Sequence, residues 1–295
     1  MDMKKNIDFR DEWIDKNKVI NALTDSNFDE NDWINKLIAW GETVFCIKKE
    51  KENRYYIEFA GRIICTGIIT FEQAIELIEK GKTLFEWSVE SLKDFFEDSQ
   101  FIFITRDCDI NKLVLLCVKM GISDFKFKEL ESPTRGQAQT VLAADEFFGS
   151  DDEFIIYNID TVLTGTIDRG MFTHEGHIVC FEPEGDHWSF VVPEPCEPSK
   201  IWKVVEKQRV SQYATVGLYY FKHFSTYRLL FSTWGRKVLE DYGEFYVAPM
   251  YQHLINSWRM SVTWNIVPNE EVICLGTPKE VEAFDPDYLS KNLDR

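Results

Sequence analysis

The chain has 295 residues, 44% hydrophobic and 15% aromatic, enough for a packed core in one large α/β domain with or without a small extension. Its 50 Asp and Glu outweigh 33 Lys and Arg, for a formal net charge of −17. That balance argues against bulk nucleic-acid binding, which needs clustered cations, but leaves room for a local pocket around one nucleotide and for a cation-assisted site.

The cysteines at 46, 65, 108, 117, 180, 196 and 274 are dispersed, with no C-x-x-C pair, and read as free thiols of a reducing compartment without a zinc signature. The opening Met-Asp-Met-Lys-Lys-Asn has no apolar signal-peptide core, and no window approaches the roughly eighteen apolar residues of a membrane span. The expectation is a soluble, cytoplasmic protein.

Residues 1–52 are dense in Asp, Asn and Lys around Trp13, Ile14, Trp33, Ile34, Leu37, Ile38 and Trp40. Their three-to-four spacing predicts a helical extension preceding a domain over 53–295, and tryptophans of that size predict that it packs on the domain. Tyr55–Phe59 predicts a strand ending in Ala60-Gly61-Arg62. Residues 70–80 and Thr83–Phe96 predict helices, Phe101–Ile104 a strand, and Lys112–Met120 a helix closed by Gly121. Gln137–Phe148 predicts the helix before the strand Phe154–Tyr157. Strand signals then follow at 178–181, 188–192, 202–205 and 216–221, with Pro193, Pro195 and Pro198 marking a loop. Alternating elements predict an α/β fold with a mainly parallel mixed sheet flanked by helices.

The apolar run Phe154–Tyr157 ends in Asn158-Ile-Asp160. Ligands of parallel sheets bind beyond the carboxyl ends of the strands, so Asp160 either holds a divalent cation against a phosphate or simply opens a turn. Asn158 assists through its side-chain carbonyl or caps the strand end. The five histidines show no i, i+4 pairing, and no nucleophile–base arrangement is signalled.

From about Ala60 to Phe284 the chain resembles the sugar-1-phosphate nucleotidyltransferases. The resemblance rests on pieces that come in order: Gly81-Lys-Thr-Leu-Phe-Glu-Trp87 with Ser91-Leu92; Thr134 with Gly136-Gln-Ala138; Tyr157-Asn-Ile-Asp160; Val205-Glu-Lys207; Ala214-Thr-Val-Gly-Leu-Tyr-Tyr-Phe221; Glu244-Phe-Tyr-Val-Ala-Pro249; and Leu275-Gly-Thr-Pro278. It implies a GT-A-like Rossmann fold. It implies base recognition by Thr134, Gly136, Gln137 and Ala138, with Asn158 beside them, and Mg²⁺ or Mn²⁺ on Asp160. It implies sugar or acceptor contacts from Glu206, Lys207, Thr215, Gly217 and Glu244. The family's opening G-x-G-x-R loop corresponds to Ala60-Gly61-Arg62-Ile63-Ile64. There Gly61 and Arg62 remain, the second glycine is replaced by isoleucine, and no Pro-Lys pair follows. Arg62 is then either a phosphate clamp or a surface residue.

These readings imply a nucleotidyltransferase-like enzyme of nucleotide-sugar metabolism, acting in polysaccharide biosynthesis, that transfers a nucleotidyl group from a nucleoside triphosphate to a phosphorylated sugar or small alcohol. The alternatives are a glycosyltransferase using Asn158-x-Asp160 for a nucleotide-sugar donor, and a catalytically degenerate nucleotide-sugar-binding relative.

Overall fold

The computed structural model describes residues 36–40, 43–51, 54–59, 62–69, 83–106 and 110–284, with side chains for the last two ranges. In chain order the first elements are β1 (Lys36–Trp40), β2 (Thr43–Lys51), β3 (Arg54–Phe59), β4 (Arg62–Ile69), α1 (Leu84–Glu90), β5 (Gln100–Thr105), α2 (Ile110–Lys119) and β6 (Asp124–Glu129). Next come α3 (Gln137–Leu142), β7 (Phe154–Tyr157), β8 (Thr161–Leu163), β9 (Gly176–Phe181), β10 (Ser189–Glu194), β11 (Glu197–Glu206) and β12 (Ala214–Phe221). The last are α4 (Phe224–Tyr242), α5 (Ala248–Trp258), β13 (Val262–Ile266), β14 (Val272–Cys274) and α6 (Pro278–Phe284). The chain divides into two compact units, Met1–Gly81 with Asp109–Ile122, and Lys82–Cys108 with Ser123–Arg295.

In the first unit β1 to β4 form an antiparallel sheet in sequential order, and α2 lies against β4. The expected helical extension is therefore corrected from Lys36 onward: this part of it is strand. Short apolar runs do not separate helix from strand by periodicity alone, and the β-branched and aromatic Thr43-Val-Phe-Cys-Ile47 favours the pleated surface. Trp13 and Trp33, like the helix expected over 70–80, lie outside the described residues. β2 and β3 pair across the expected domain boundary at 52–53. α2 ends as expected. Gly121 takes φ +80°, its N–H bonds Val118 O at 3.0 Å, and Ile122 N–H bonds Cys117 O at 3.0 Å, which satisfies two of the last carbonyls.

The larger unit is built on a six-stranded sheet of order β10-β11-β13-β9-β12-β7. It is mixed, as expected, but antiparallel pairs predominate: β9–β13 is its parallel pair, and β5–β6 forms a separate two-stranded parallel ladder. The expectation of a mainly parallel sheet gives way because the strand-rich half after Asp160 folds through hairpins and short returns. The central strands β9 and β12 are buried along their whole length, and alternate residues face two cores. Ile178, Cys180, Tyr219 and Phe221 pack with Tyr227, Tyr251 and Leu254 of α4 and α5. Val179, Phe181, Val216 and Leu218 pack on the other face with Phe95, Phe190 and Ile167. Pro193 and Pro198 lie within β10 and β11, where the register shifts, and only Pro195 falls between the two strands. Among the described residues no helix is long and apolar enough to cross a membrane.

α1 is shorter than Thr83–Phe96. Thr83 caps it, its hydroxyl accepting from Glu86 N at 3.2 Å while Glu86 Oε2 accepts from Thr83 N at 2.7 Å. It ends at Ser91 and gives way to a 3₁₀ turn over Lys93–Phe95. Likewise α3 stops at Leu142, and a 3₁₀ turn over Asp145–Phe147 completes the helix expected to reach Phe148.

Candidate functional site

β7 leaves the sheet at Tyr157, and the next turn, Asn158 to Thr161, is bonded from several sides. Ser88 of α1 is fully buried, and its hydroxyl lies 3.2 Å from Asn158 O and 2.8 Å from Thr161 O, donating to the pair. Tyr157 donates its phenol to Thr161 O at 2.8 Å, and Leu275 N–H donates to Asp160 O at 2.7 Å. Burial pushes the Tyr157 phenol up, so it stays a proton donor. The Asp160 carboxylate is exposed, and among the described residues no hydrogen bond or ion pair to its side chain is seen. Gly276 lies so close that a Cβ there would stand 3.0 Å from Asp160 Oδ2. The turn reading and the ligand reading of Asp160 thus meet in one residue, a turn whose backbone is tied and whose carboxylate is open.

The Asn158 side chain is tied to α3, its Oδ1 accepting from Gln137 Nε2. Gly217 takes φ +86°, and Asn158 N donates to its carbonyl at 3.1 Å. A Cβ on Gly217 would stand 2.9 Å from Asn158 Cβ, so only glycine fits. β12 bulges here: Thr215 and Tyr219 pair with Cys180 and Ile178, so three residues stand opposite one. The bulge makes room for Asn158.

The segment from Thr134 enters α3 by a close backbone approach. Gly136 has φ +140°, and a Cβ on it would stand 2.8 Å from Phe245 O. Ala138 N donates to Phe245 O at 2.8 Å, and Phe245 N to Arg135 O at 2.9 Å. Thr134 Oγ1 shares a hydrogen with Thr140 Oγ1 at 2.5 Å, so its hydroxyl serves the helix start. Gln137, Asn158 and Gly217 are brought together, and Gly136 and Ala138 are brought to Phe245, which follows Glu244.

A second cluster forms where β11 ends. Glu206 is buried and accepts from the Ser189 hydroxyl. Burial raises its carboxyl, with Ser189 and Lys207 opposing and Glu244 reinforcing the rise. Lys207 takes φ +51°, uncommon for a residue with a side chain, and its N–H bonds Trp188 O at 2.9 Å. Its ammonium donates to the Tyr246 hydroxyl and lies 4.7 Å from that ring's centroid. The Tyr246 hydrogen bond raises the Lys207 pKa, and Glu206 and Glu244 add to it, so the ammonium is firmly charged. Thr215 faces inward, 2.9 Å from Tyr219 Oη, and is a structural partner in the buried network, not an exposed contact. Glu244 is exposed. Tyr246 and Ser189 were not among the expected site residues, although Tyr246 stands in the quoted Glu244-Phe-Tyr pattern. No sequence signal marked Ser189.

The expected phosphate loop takes a different form. β3 and β4 pair through Phe59 and Arg62, so the chain reverses into an antiparallel strand there, not into a helix. Ala60 and Gly61 lie outside the described residues, as does the Arg62 side chain. A strand-to-helix turn would have offered a helix N-terminus to phosphates.

For Mg²⁺ or Mn²⁺ the donor set decides. Among the described residues no group of three or more His, Cys, Asp or Glu converges. Asp160 alone cannot cage a hard cation, but one carboxylate suits a magnesium ion that keeps its waters and arrives on substrate phosphates.

No family model and no curated protein matches the chain. Solved structures do. A nucleoside-diphosphate-sugar pyrophosphorylase from Vibrio cholerae RC9 matches with a TM-score of 0.63 at 29% identity, over 69% of this chain and 87% of that one. A putative glucose-1-phosphate thymidylyltransferase from Bacillus anthracis, in complex with a sucrose, matches at 0.53 and 17% identity, over 69% and 81%. A UDP-glucose pyrophosphorylase complexed with UDP-glucose matches at 0.53 and 13% identity, over 72% and 88%. The chain is a mixed α/β protein of the GT-A-like fold, and its neighbours among solved structures are nucleotide-sugar pyrophosphorylases and nucleotidyltransferases.

Proposed function

We propose that the chain is a nucleotidyltransferase-like enzyme of nucleotide-sugar metabolism, joining the nucleotidyl part of a nucleoside triphosphate to a phosphorylated sugar or small alcohol with release of pyrophosphate. The observation that carries this reading is the Asp160 turn, a strand-end carboxylate left open while the carbonyls of Asn158, Asp160 and Thr161 around it are all hydrogen-bonded. Gln137 and the backbone at Gly136 would frame the base, and Lys207 would meet the acceptor's phosphate oxygens as a point charge. Glu206 and Glu244 would accept hydrogens from acceptor hydroxyls. A magnesium or manganese ion on Asp160 would neutralise charge on the phosphates as the acceptor oxygen displaces pyrophosphate. The chain's own contribution is positioning and electrostatics, with no covalent intermediate. Its setting would be cytoplasmic polysaccharide biosynthesis.

The experiment is a pyrophosphate-release assay with four nucleoside triphosphates, Mg²⁺ and a panel of sugar 1-phosphates and phosphorylated alcohols. Release that needs both substrates and is lost in Asp160→Asn supports the reading; no release across the panel sinks it. The β3–β4 reversal favours a second reading, a site for a ready-made nucleotide sugar, because a diphosphate donor leaves no pyrophosphate to grip. Melting-temperature shifts with nucleotide sugars and none with triphosphates would select it, since a ligand of the native state raises stability by mass action.

A further inference from the structure

We infer that Ser88 is the positioning residue for Asp160. The inference rests on the proposed role of Asp160 and adds the device that aims it. Ser88 sits on α1, seventy residues before Asn158 in the chain, in no contact with solvent. A serine in a helix usually returns its hydroxyl to its own backbone or to water. Here the hydroxyl points off the helix and between two carbonyls of the Asp160 turn, Asn158 O at 3.2 Å and Thr161 O at 2.8 Å. It has one hydrogen to give, so it serves both ends of the turn from a single point. Those carbonyls flank Ile159 and Asp160, and both of these side chains are exposed. With the turn held from beneath at its two ends, the intervening side chains leave on the solvent side.

The two ends are not equally dependent on Ser88. Thr161 O has a second donor in the Tyr157 phenol at 2.8 Å. For Asn158 O, Ser88 is the side-chain donor, and the rest of Asn158 is held by Gly217 O and the Gln137 side chain. Removing the Ser88 hydroxyl therefore frees the leading end of the turn first, and with it the path of the chain into Asp160. A group that sets such a direction contributes to function through preorganisation, out of proportion to its worth in stability.

Ser91, one turn further on, supplies the control. Its hydroxyl accepts from Leu163 N–H at 2.8 Å, two residues beyond the turn in β8, and is itself buried. Ser88→Ala and Ser91→Ala each remove one buried hydroxyl from the same helix, so each lowers the melting temperature. Only Ser88→Ala removes a direct donor to the Asp160 turn; Ser91 reaches it only through the Tyr157 phenol. The reporter is the Leu275 amide, which bonds Asp160 O at 2.7 Å. In the ligand-free protein, hydrogen exchange at Leu275 quickens about tenfold in Ser88→Ala while Leu163 holds; in Ser91→Ala the order reverses. Ser88→Cys, which keeps the unbranched side chain and a weak donor, falls between wild type and Ser88→Ala. A second readout is Mn²⁺ binding with UTP as probe, weakened about tenfold in Ser88→Ala and unchanged in Ser91→Ala. Equal quickening of both amides in both variants, or unchanged exchange at Leu275 in Ser88→Ala, overturns the inference. Failure of the wild type to bind Mn²⁺ with UTP counts against the proposed role of Asp160, while the exchange pattern still decides whether Ser88 aims it.

Discussion

At Asn158–Thr161 the carbonyls of Asn158, Asp160 and Thr161 are all hydrogen-bonded and the carboxylate faces out alone. At Glu206–Tyr246 the backbone supplies the left-handed Lys207 and its bond to Trp188 O, and side chains hold one another: Ser189 on Glu206, Lys207 on Tyr246. The first region is aimed by main chain and buried hydroxyls, the second by hydrogen bonds between neutral hydroxyl groups and its charged side chains. The difference teaches where substitution does harm. A residue that shapes the first region is paid for in folding, whereas the groups that the two regions present to solvent are free to be lost with little change in stability.

The largest expected effect follows from breaking the bulge that seats Asn158. Gly217→Ala adds a Cβ against Asn158 at φ +86° and should cost about 3 kcal/mol, read as a lower urea midpoint. A midpoint unchanged within error would mean that Asn158 can step aside. Next comes the exposed carboxylate. Asp160→Asn should lower pyrophosphate release at least about 100-fold at an unchanged melting temperature, and residual activity above a tenth of wild type would remove it from the chemistry. Lys207→Ala should weaken the acceptor phosphate by about 1.5–3 kcal/mol in calorimetric titration and leave bare nucleotide alone; equal losses for both would place Lys207 elsewhere.

The smallest effect sharpens the second region. Because the folded Glu206 carboxyl is raised above its ordinary value of 4.5, its contribution to stability is full below about pH 4.5 and is lost as pH rises through the folded value. Wild type should therefore gain on Glu206→Gln, in melting temperature, as pH is lowered from 7 to 4. Parallel curves would show that burial of Glu206 carries no charge penalty.

Much of the larger unit was legible in the sequence. Phe154–Tyr157 announced itself as a continuous apolar run bounded by acidic residues, and Gly121 as a helix end, because strand burial and left-handed caps leave local signatures. Lys36–Lys51 was misread because short apolar clusters satisfy both periods, and the partners that choose between them are distant in sequence. The same holds at the site. Asp160 stands out at a strand end, but that Asn158 turns to Gln137 depends on a bulge in β12, some sixty residues away, that no spacing reveals. Ser88 looked like one more helix residue until its carbonyl partners were seen.

Beyond Val191 the outer side of β10 has no strand partner among the described residues, and Pro193 sits there, with Pro198 on the strand beside it. Proline has no N–H to offer an incoming strand, and the register shifts at Pro193 break the flat edge that one would need. At the opposite end β7 is only four residues long. Among the described residues, both borders of this sheet are thus poor templates for an added strand.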